Sequence, residues 1–149
     1  MKQDLNIRKA TEDDVIEIYN LVCELAAYEK ARDQVKINEE QYLEDFRKGL
    51  YEAFVLVLDD QVIGTTIYYY TYSTWRGKMI YLEDFIISEP YRNKGYGKEL
   101  FLHFIEYCRS EDANIVRWQV LDWNEPAIRF YKKFPVQFDP EWLTVKWIL

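Results

Sequence analysis

One histidine, His103, and two cysteines, Cys23 and Cys108, are all that the sequence holds of the side chains that most often ligate transition metals. They form no cluster in the sequence, so no metal is expected. His103 lies off the apolar stripe of its predicted helix and reads as a surface residue, which leaves a Ser-His or Cys-His nucleophile without support. Both cysteines fall on apolar stripes and read as buried free thiols. The longest apolar runs, such as Phe54-Val55-Leu56-Val57-Leu58, fall far short of the about 20 residues that span a bilayer, so no membrane partner is expected. Met1-Lys2-Gln3-Asp4-Leu5-Asn6 contains no apolar secretion core, giving the expectation of a cytoplasmic address. Basic excess is also missing. Lys and Arg number 19 against 26 Asp and Glu, a net charge of -7, so the footprint of a nucleic-acid binder is absent.

What is present is apolar and aromatic: 49% hydrophobic and 17% aromatic residues in a chain of 149. That is enough for one domain, residues 1–149, with a real core. The acidic balance suits a cationic partner or simple solubility. Asn6-Ile7-Arg8-Lys9 reads as a strand. Thr11 caps a helix whose first turn carries Glu12, Asp13 and Asp14, with Val15, Ile18, Val22, Leu25 and Ala26 on its buried face. Asn38 opens a second helix with Tyr42, Leu43 and Phe46 inward, and Gly49 closes it. Strands over 53–58 and 62–72 join at a tight hairpin, and a third follows over 79–87. Leu100, Phe101, Phe104, Ile105 and Cys108 mark a further amphipathic helix. A strand over 115–121, a short helix opened by Asn124 and Pro126, and an alternating terminal strand over 142–149 complete the order β-α-α-β-β-β-α-β-α-β. That order predicts an α/β domain with a mixed sheet.

The stretch richest in chemistry is Tyr81-Leu82-Glu83-Asp84-Phe85-Ile86-Ile87, followed by Arg92-Asn93-Lys94-Gly95-Tyr96-Gly97. It reads as a strand, a tight turn and a helix start. Backbone N–H groups at such a start, with the positive end of the helix behind them, suit phosphate oxygens. No Gly-Lys-Ser/Thr follows, so this is not a Walker loop, and it lacks the third glycine of the dinucleotide fingerprint.

In this setting Arg92-x-x-Gly95-x-Gly97 resembles the Q/R-x-x-G-x-G/A signature of the GCN5-related N-acetyltransferases, the GNAT family. Asn124-Glu125-Pro126-Ala127-Ile128-Arg129-Phe130-Tyr131 resembles a second segment of that family. Glu24-Leu25-Ala26-Ala27-Tyr28-Glu29, Tyr72-Ser73-Thr74-Trp75, Tyr81-Leu82-Glu83-Asp84-Phe85 and Trp123-Asn124-Glu125-Pro126 look like the spermidine/spermine (diamine) acetyltransferases, whose near relatives include enzymes preferring thialysine. Two departures stand out: Phe134-Pro135 replaces a glycine after Lys132-Lys133, and Ser73 stands where polyamine enzymes carry an acid.

The resemblance implies a mostly antiparallel central sheet flanked by helices, acetyl-CoA as co-substrate, a small cationic amine as acceptor and a homodimer. It assigns the CoA contacts to Phe85, Ile87, Arg92, Asn93, Lys94, Gly95, Tyr96, Gly97, Lys98, Asn124 and Tyr131. It implies direct attack of the amine, with Glu83 relaying its proton, Tyr131 protonating the departing thiolate and a backbone N–H near Ile87 meeting the oxyanion. Tyr28, Glu29, Trp75, Glu83 and Asp84 are the expected acceptor contacts, Glu29 and Asp84 holding a distal ammonium. Alternation along a strand sends Glu83 to the face of Tyr81 and Phe85, and Asp84 to that of Leu82 and Ile86, so the two carboxylates act together only if a bulge intervenes. The expected acceptor is a polyamine or diamine such as spermidine or spermine; thialysine, another amino acid or a protein amine is the alternative, and a non-catalytic acyl-CoA or polyamine sensor the further one.

Overall fold

The computed structural model describes residues 4–149, and the chain divides after Gln119 into two compact units. In the first, β1 (Leu5–Lys9), β2 (Glu52–Leu58), β3 (Gln61–Ser73), β4 (Gly77–Ile87) and β5 (Ile115–Arg117) form one sheet in that order. The first four strands are antiparallel to their neighbours, while β5 runs parallel to β4. Two helices, α1 (Val15–Tyr28) and α2 (Glu39–Arg47), separate β1 from β2, and α3 (Tyr96–Ser110) connects β4 to β5. This is the mixed, mostly antiparallel α/β sheet that the sequence predicts.

Helical spacing buries Val15, Ile18, Leu21, Val22 and Ala26 of α1. Ile18, Leu21 and Val22 pack with Ala53, Val55, Ile67 and Ile86 on one face of the sheet. On the opposite face, Leu100, Phe101, Phe104 and Cys108 of α3 are buried, with Phe104 at 5.2 Å from the Tyr68 ring and Phe101 at 5.8 Å from Phe85. Apolar surface is thus removed from water on both faces, the main stabilising term of such a layered fold. Both cysteines are free; Cys108 is buried and Cys23 partly so. The β2–β3 connection is the two-residue hairpin Asp59-Asp60, both residues at positive φ, which matches the twist of the paired strands.

Two predicted strands differ from the structure. β5 covers only Ile115–Arg117 rather than 115–121, because β4 pairs with it over Met79–Tyr81 alone. The predicted terminal strand over 142–149 is not formed. Alternation gives a segment two faces, but only a neighbouring strand in register makes it part of a sheet. Among the described residues the sheet holds five strands, none of them in that segment. Trp142, Leu143, Val145, Trp147 and Ile148 are instead exposed.

In the second unit, α4 (Glu125–Tyr131) begins at Asn124, whose Oδ1 accepts from the Ala127 N–H at 3.4 Å. Pro126 is its second residue rather than its first, a position that equally leaves no helical N–H unsatisfied.

Candidate active site

The β3–β4 ladder slips by one residue at Glu83. Ile67 faces Asp84 and Tyr68 faces Leu82, so the register passes over Glu83. This is a β-bulge, and it defeats simple alternation. Past the bulge, Asp84 and Ile86 look toward α1 and α2, opposite Ile67 and Thr65. Before it, Tyr81 stacks on Tyr69 at 5.4 Å, and the Tyr69 hydroxyl donates to Glu83 Oε2 at 3.1 Å. Glu83 therefore keeps Tyr81 as a neighbour and loses Phe85, which packs on Phe101 of α3. The expected separation of the two carboxylates onto opposite faces is corrected by this one extra residue.

Glu83 and Asp84 open into one cleft of about 210 Å³, lined also by Ile37, Tyr42, Asp45, Tyr51, Ile67 and Tyr69. Three carboxylates and three phenols line it, with no Lys or Arg. Burial, then the charges of Glu83 and Glu29, push the Asp84 carboxyl up to about 7. Burial also raises Glu29, at the C-terminal end of α1. Burial and the Asp45 charge push the Tyr51 phenol up to about 12; burial and the Asp84 charge raise Tyr42. The Tyr42 and Tyr51 rings meet edge to face at 6.0 Å, forming an aromatic wall between the positions that Asp45 and Asp84 influence. Such a cleft favours a cation with an apolar stem.

At the other end of β4 the chain enters the turn before α3. Gly95, immediately before the helix, has φ +89, a conformation costly for any side chain with a Cβ. No side chain caps α3, so its first N–H groups are presented at the helix start, where the dipole favours an anion. Gly97 lies with ordinary van der Waals room above Phe85 and Ile87. Asn93, Lys94 and Lys98 are exposed around it, and Tyr96 is half-buried. An uncapped helix start with two glycines and two exposed lysines fits a pyrophosphate. Arg92 is engaged within the protein: its Nε donates to the Ile87 carbonyl at 2.8 Å, an Nη approaches Glu24 at 3.4 Å, and its guanidinium lies 5.3 Å above the Tyr28 ring.

Trp75 is 85% exposed in the β3–β4 turn, and six residues of strand from Gly77 to Glu83 put that turn about 20 Å from the bulge. Ser73 is buried, its hydroxyl accepting from the N–H groups of Trp75 and Arg76. In the second unit Asn124 and Tyr131 are both buried, and the Tyr131 ring meets Phe130 at 5.5 Å. Asp45, Tyr51 and Tyr69 escaped sequence reasoning as cleft residues. Asp45 was hidden among α2 charges, Tyr69 read only as a strand aromatic, and Tyr51 fell outside the predicted elements. His103 is exposed, its ring edge against Phe54. Among the described residues no group of three His, Cys, Asp or Glu could hold a metal ion, and no helix is long and apolar enough to cross a membrane.

Residues 14–134 match the model of the Acetyltransferase (GNAT) family, and the chain belongs to that family. It is 38% identical over 141 residues to the thialysine N-epsilon-acetyltransferase of Bos taurus, covering 88% of this chain and 83% of that one. It is 31% identical over 134 residues to the Homo sapiens spermidine/spermine N(1)-acetyltransferase-like protein 1, covering 84% of this chain and 19% of that protein. Among solved structures, an aminoglycoside acetyltransferase from an uncultured soil metagenomic sample, in complex with sisomicin, superposes with a TM-score of 0.80 at 16% identity, over 97% of this chain and 96% of the other. An aminoglycoside N-acetyltransferase in complex with CoA gives 0.79 at 12% identity, over 98% and 96%. At such identities the likeness is one of fold. The chain is an acetyltransferase of a family that uses acetyl-CoA.

Proposed function

We propose that this acetyltransferase moves the acetyl group of acetyl-CoA to a primary amine of a small acceptor carrying a second positive charge. A thialysine-like amino acid is the first choice, and a diamine or polyamine such as spermidine the second. The observation that carries the reading is the bulge at Glu83, which turns two adjacent carboxylates into one cleft free of basic lining. The thialysine preference rests on the names of the relatives that cover most of both chains; the diamine reading rests on the same cleft chemistry.

An alkyl ammonium with a pKa of about 10 must lose a proton before it attacks. An ordinary carboxylate lies about six units below it, which makes that transfer costly; a group near 7 halves the gap. The Glu83 and Asp84 pair takes the proton directly or through water, burial having raised the Asp84 carboxyl toward the amine. The amine nitrogen then attacks the acetyl carbonyl carbon in a ternary complex. A backbone N–H of the β4 segment that β5 leaves unpaired, near Ile87, meets the oxyanion. The C–S bond breaks, and Tyr131 gives its proton to the CoA thiolate, phenol and thiol having pKa values of about 10 and about 8.5; the nitrogen sheds its surplus proton as the amide forms, and that proton restores the Tyr131 phenol through water. The turn from Arg92 to Lys98 holds the pyrophosphate, Phe85 and Ile87 line the strand beside it, and Asn124 contacts the pantetheine arm. Glu29 adds negative charge to the acceptor cleft. Trp75 and Tyr28 contact the acceptor only if they approach it from outside the cleft just described.

The test is release of CoA thiol from acetyl-CoA with thialysine, lysine, spermidine, spermine, putrescine and a basic peptide. Fastest turnover with thialysine or lysine supports the first choice, and fastest turnover with a polyamine supports the second. Tight acetyl-CoA binding with no turnover on any amine would overturn both and leave a sensor. The exposed apolar segment over 142–149 supports a homodimer as a further proposal, tested by light scattering on the eluting protein.

A further inference from the structure

Glu24 lies on α1, one helical turn before Tyr28, and its carboxylate reaches across to the turn that follows β4. Oε1 accepts from the Ser88 hydroxyl at 3.0 Å and Oε2 meets an Arg92 Nη at 3.4 Å. Ser88 is the first residue after β4, its own N–H bonded to the Ile63 carbonyl. Arg92 closes the other side, donating from Nε to the Ile87 carbonyl and resting over the Tyr28 ring. One carboxylate thus grips the turn at its entry and at the first basic residue of the Arg92-x-x-Gly95-x-Gly97 segment.

We propose that Glu24 is a positioning residue for the co-substrate: through Ser88 and Arg92 it holds the 88–97 turn, and with it the start of α3, in the geometry that receives the pyrophosphate. This rests on the reading of that turn as the acetyl-CoA cradle. The physical ground is preorganisation. A turn already fixed loses little freedom when its anion arrives, whereas an unbraced one must be ordered at the expense of affinity. Arg92 also matters to the anion through its charge, and Glu24 sets where that charge stands. Because the brace holds the turn that leads into the pyrophosphate cradle, its loss is felt by donors that carry a pyrophosphate far more than by those that lack one.

The experiment measures binding of acetyl-CoA and of acetyl-pantetheine, which has no pyrophosphate, to the full chain by calorimetry, for wild type and for Glu24→Gln and Ser88→Ala. Thermal melts run alongside. The expected result is a loss of acetyl-CoA affinity of about tenfold for Glu24→Gln, the worth of one charged hydrogen bond, and a smaller loss for Ser88→Ala. Acetyl-pantetheine affinity stays unchanged in both, and kcat at saturating acetyl-CoA is also unchanged. An equal loss for both donors, or none for acetyl-CoA, overturns the inference while leaving the proposed function intact. Wild-type protein that fails to bind acetyl-CoA would overturn the cradle reading itself and the inference with it. Should Glu24→Gln fold poorly, the donor contrast in Ser88→Ala decides the question.

Discussion

The Tyr69 hydroxyl donates to Glu83 Oε2 at 3.1 Å, across the point where the β3–β4 ladder slips by one residue. The bond pins the bulged residue to its partner strand and keeps its carboxylate at the cleft. A charged acceptor makes such a bond worth about 1.5–3 kcal/mol at most, less for an exposed group like Glu83. Tyr69→Phe is expected to lower kcat/KM about tenfold while leaving acetyl-CoA affinity as it was. Steady-state kinetics with each substrate varied in turn check this, and a loss confined to the acetyl-CoA KM would contradict it.

Asp84 is expected to limit stability as well as to serve the chemistry. Its folded-state pKa of about 7 lies above the ordinary value of 3.8, so the unfolded chain releases this proton first. Its contribution to stability is fully present below about pH 4 and is lost as pH rises through 7. Asp84→Asn should therefore raise the Tm at pH 8, by up to about 4 kcal/mol in stability, while depressing turnover. A melting curve at pH 8 that falls relative to wild type would contradict the burial argument.

Asp45 faces the same cleft from α2, its Oδ1 accepting from the Gln41 amide and no cation paired to it in the ion pairs described. Asp45→Asn is expected to raise KM about tenfold for acceptors with two ammonium groups, the scale of one charged contact. A monoamine of equal length should be unaffected. KM values for pentylamine and 1,5-diaminopentane make the comparison, and an equal rise for both would reduce Asp45 to a structural residue.

Tyr131 ends α4 and is buried. Tyr131→Phe removes one hydroxyl and no ring, so acetyl-CoA affinity should hold while kcat falls by about 10²–10⁴, the usual worth of a positioned general acid. Retained turnover would refute the role.

Most of the sheet and all four helices were legible because their apolar periods were clean: α1 and α3 bury the residues their spacing picks out. The turn before α3 was legible because Pro90 and Gly95 interrupt the strand pattern, Gly95 standing at positive φ at the helix start. What the sequence hid was relational. Nothing in Leu82-Glu83-Asp84-Phe85 announces which residue β3 will pass over, since register is settled by the partner strand and the core on both faces. The pairing of Glu83 with Asp84 was therefore invisible, as was the cleft that Asp45 completes from α2 and Tyr51 from just before β2. Residues 142–149 show the converse failure. Their alternation was real, but no neighbour in register is there to make a strand of it.

The pH dependence of kcat/KM for the best acceptor, at saturating acetyl-CoA, tests most directly the claim that the bulge creates the proton-accepting pair. The productive encounter joins an ammonium to an ionised carboxylate, so the profile should be a bell. Its lower limb should break near 7, from Asp84, and its upper limb near 10, from the acceptor amine. In Asp84→Asn the lower limb should vanish or shift. A lower limb at 4 to 5, the ordinary carboxylate range, or one near 7 that survives in Asp84→Asn, would contradict the account.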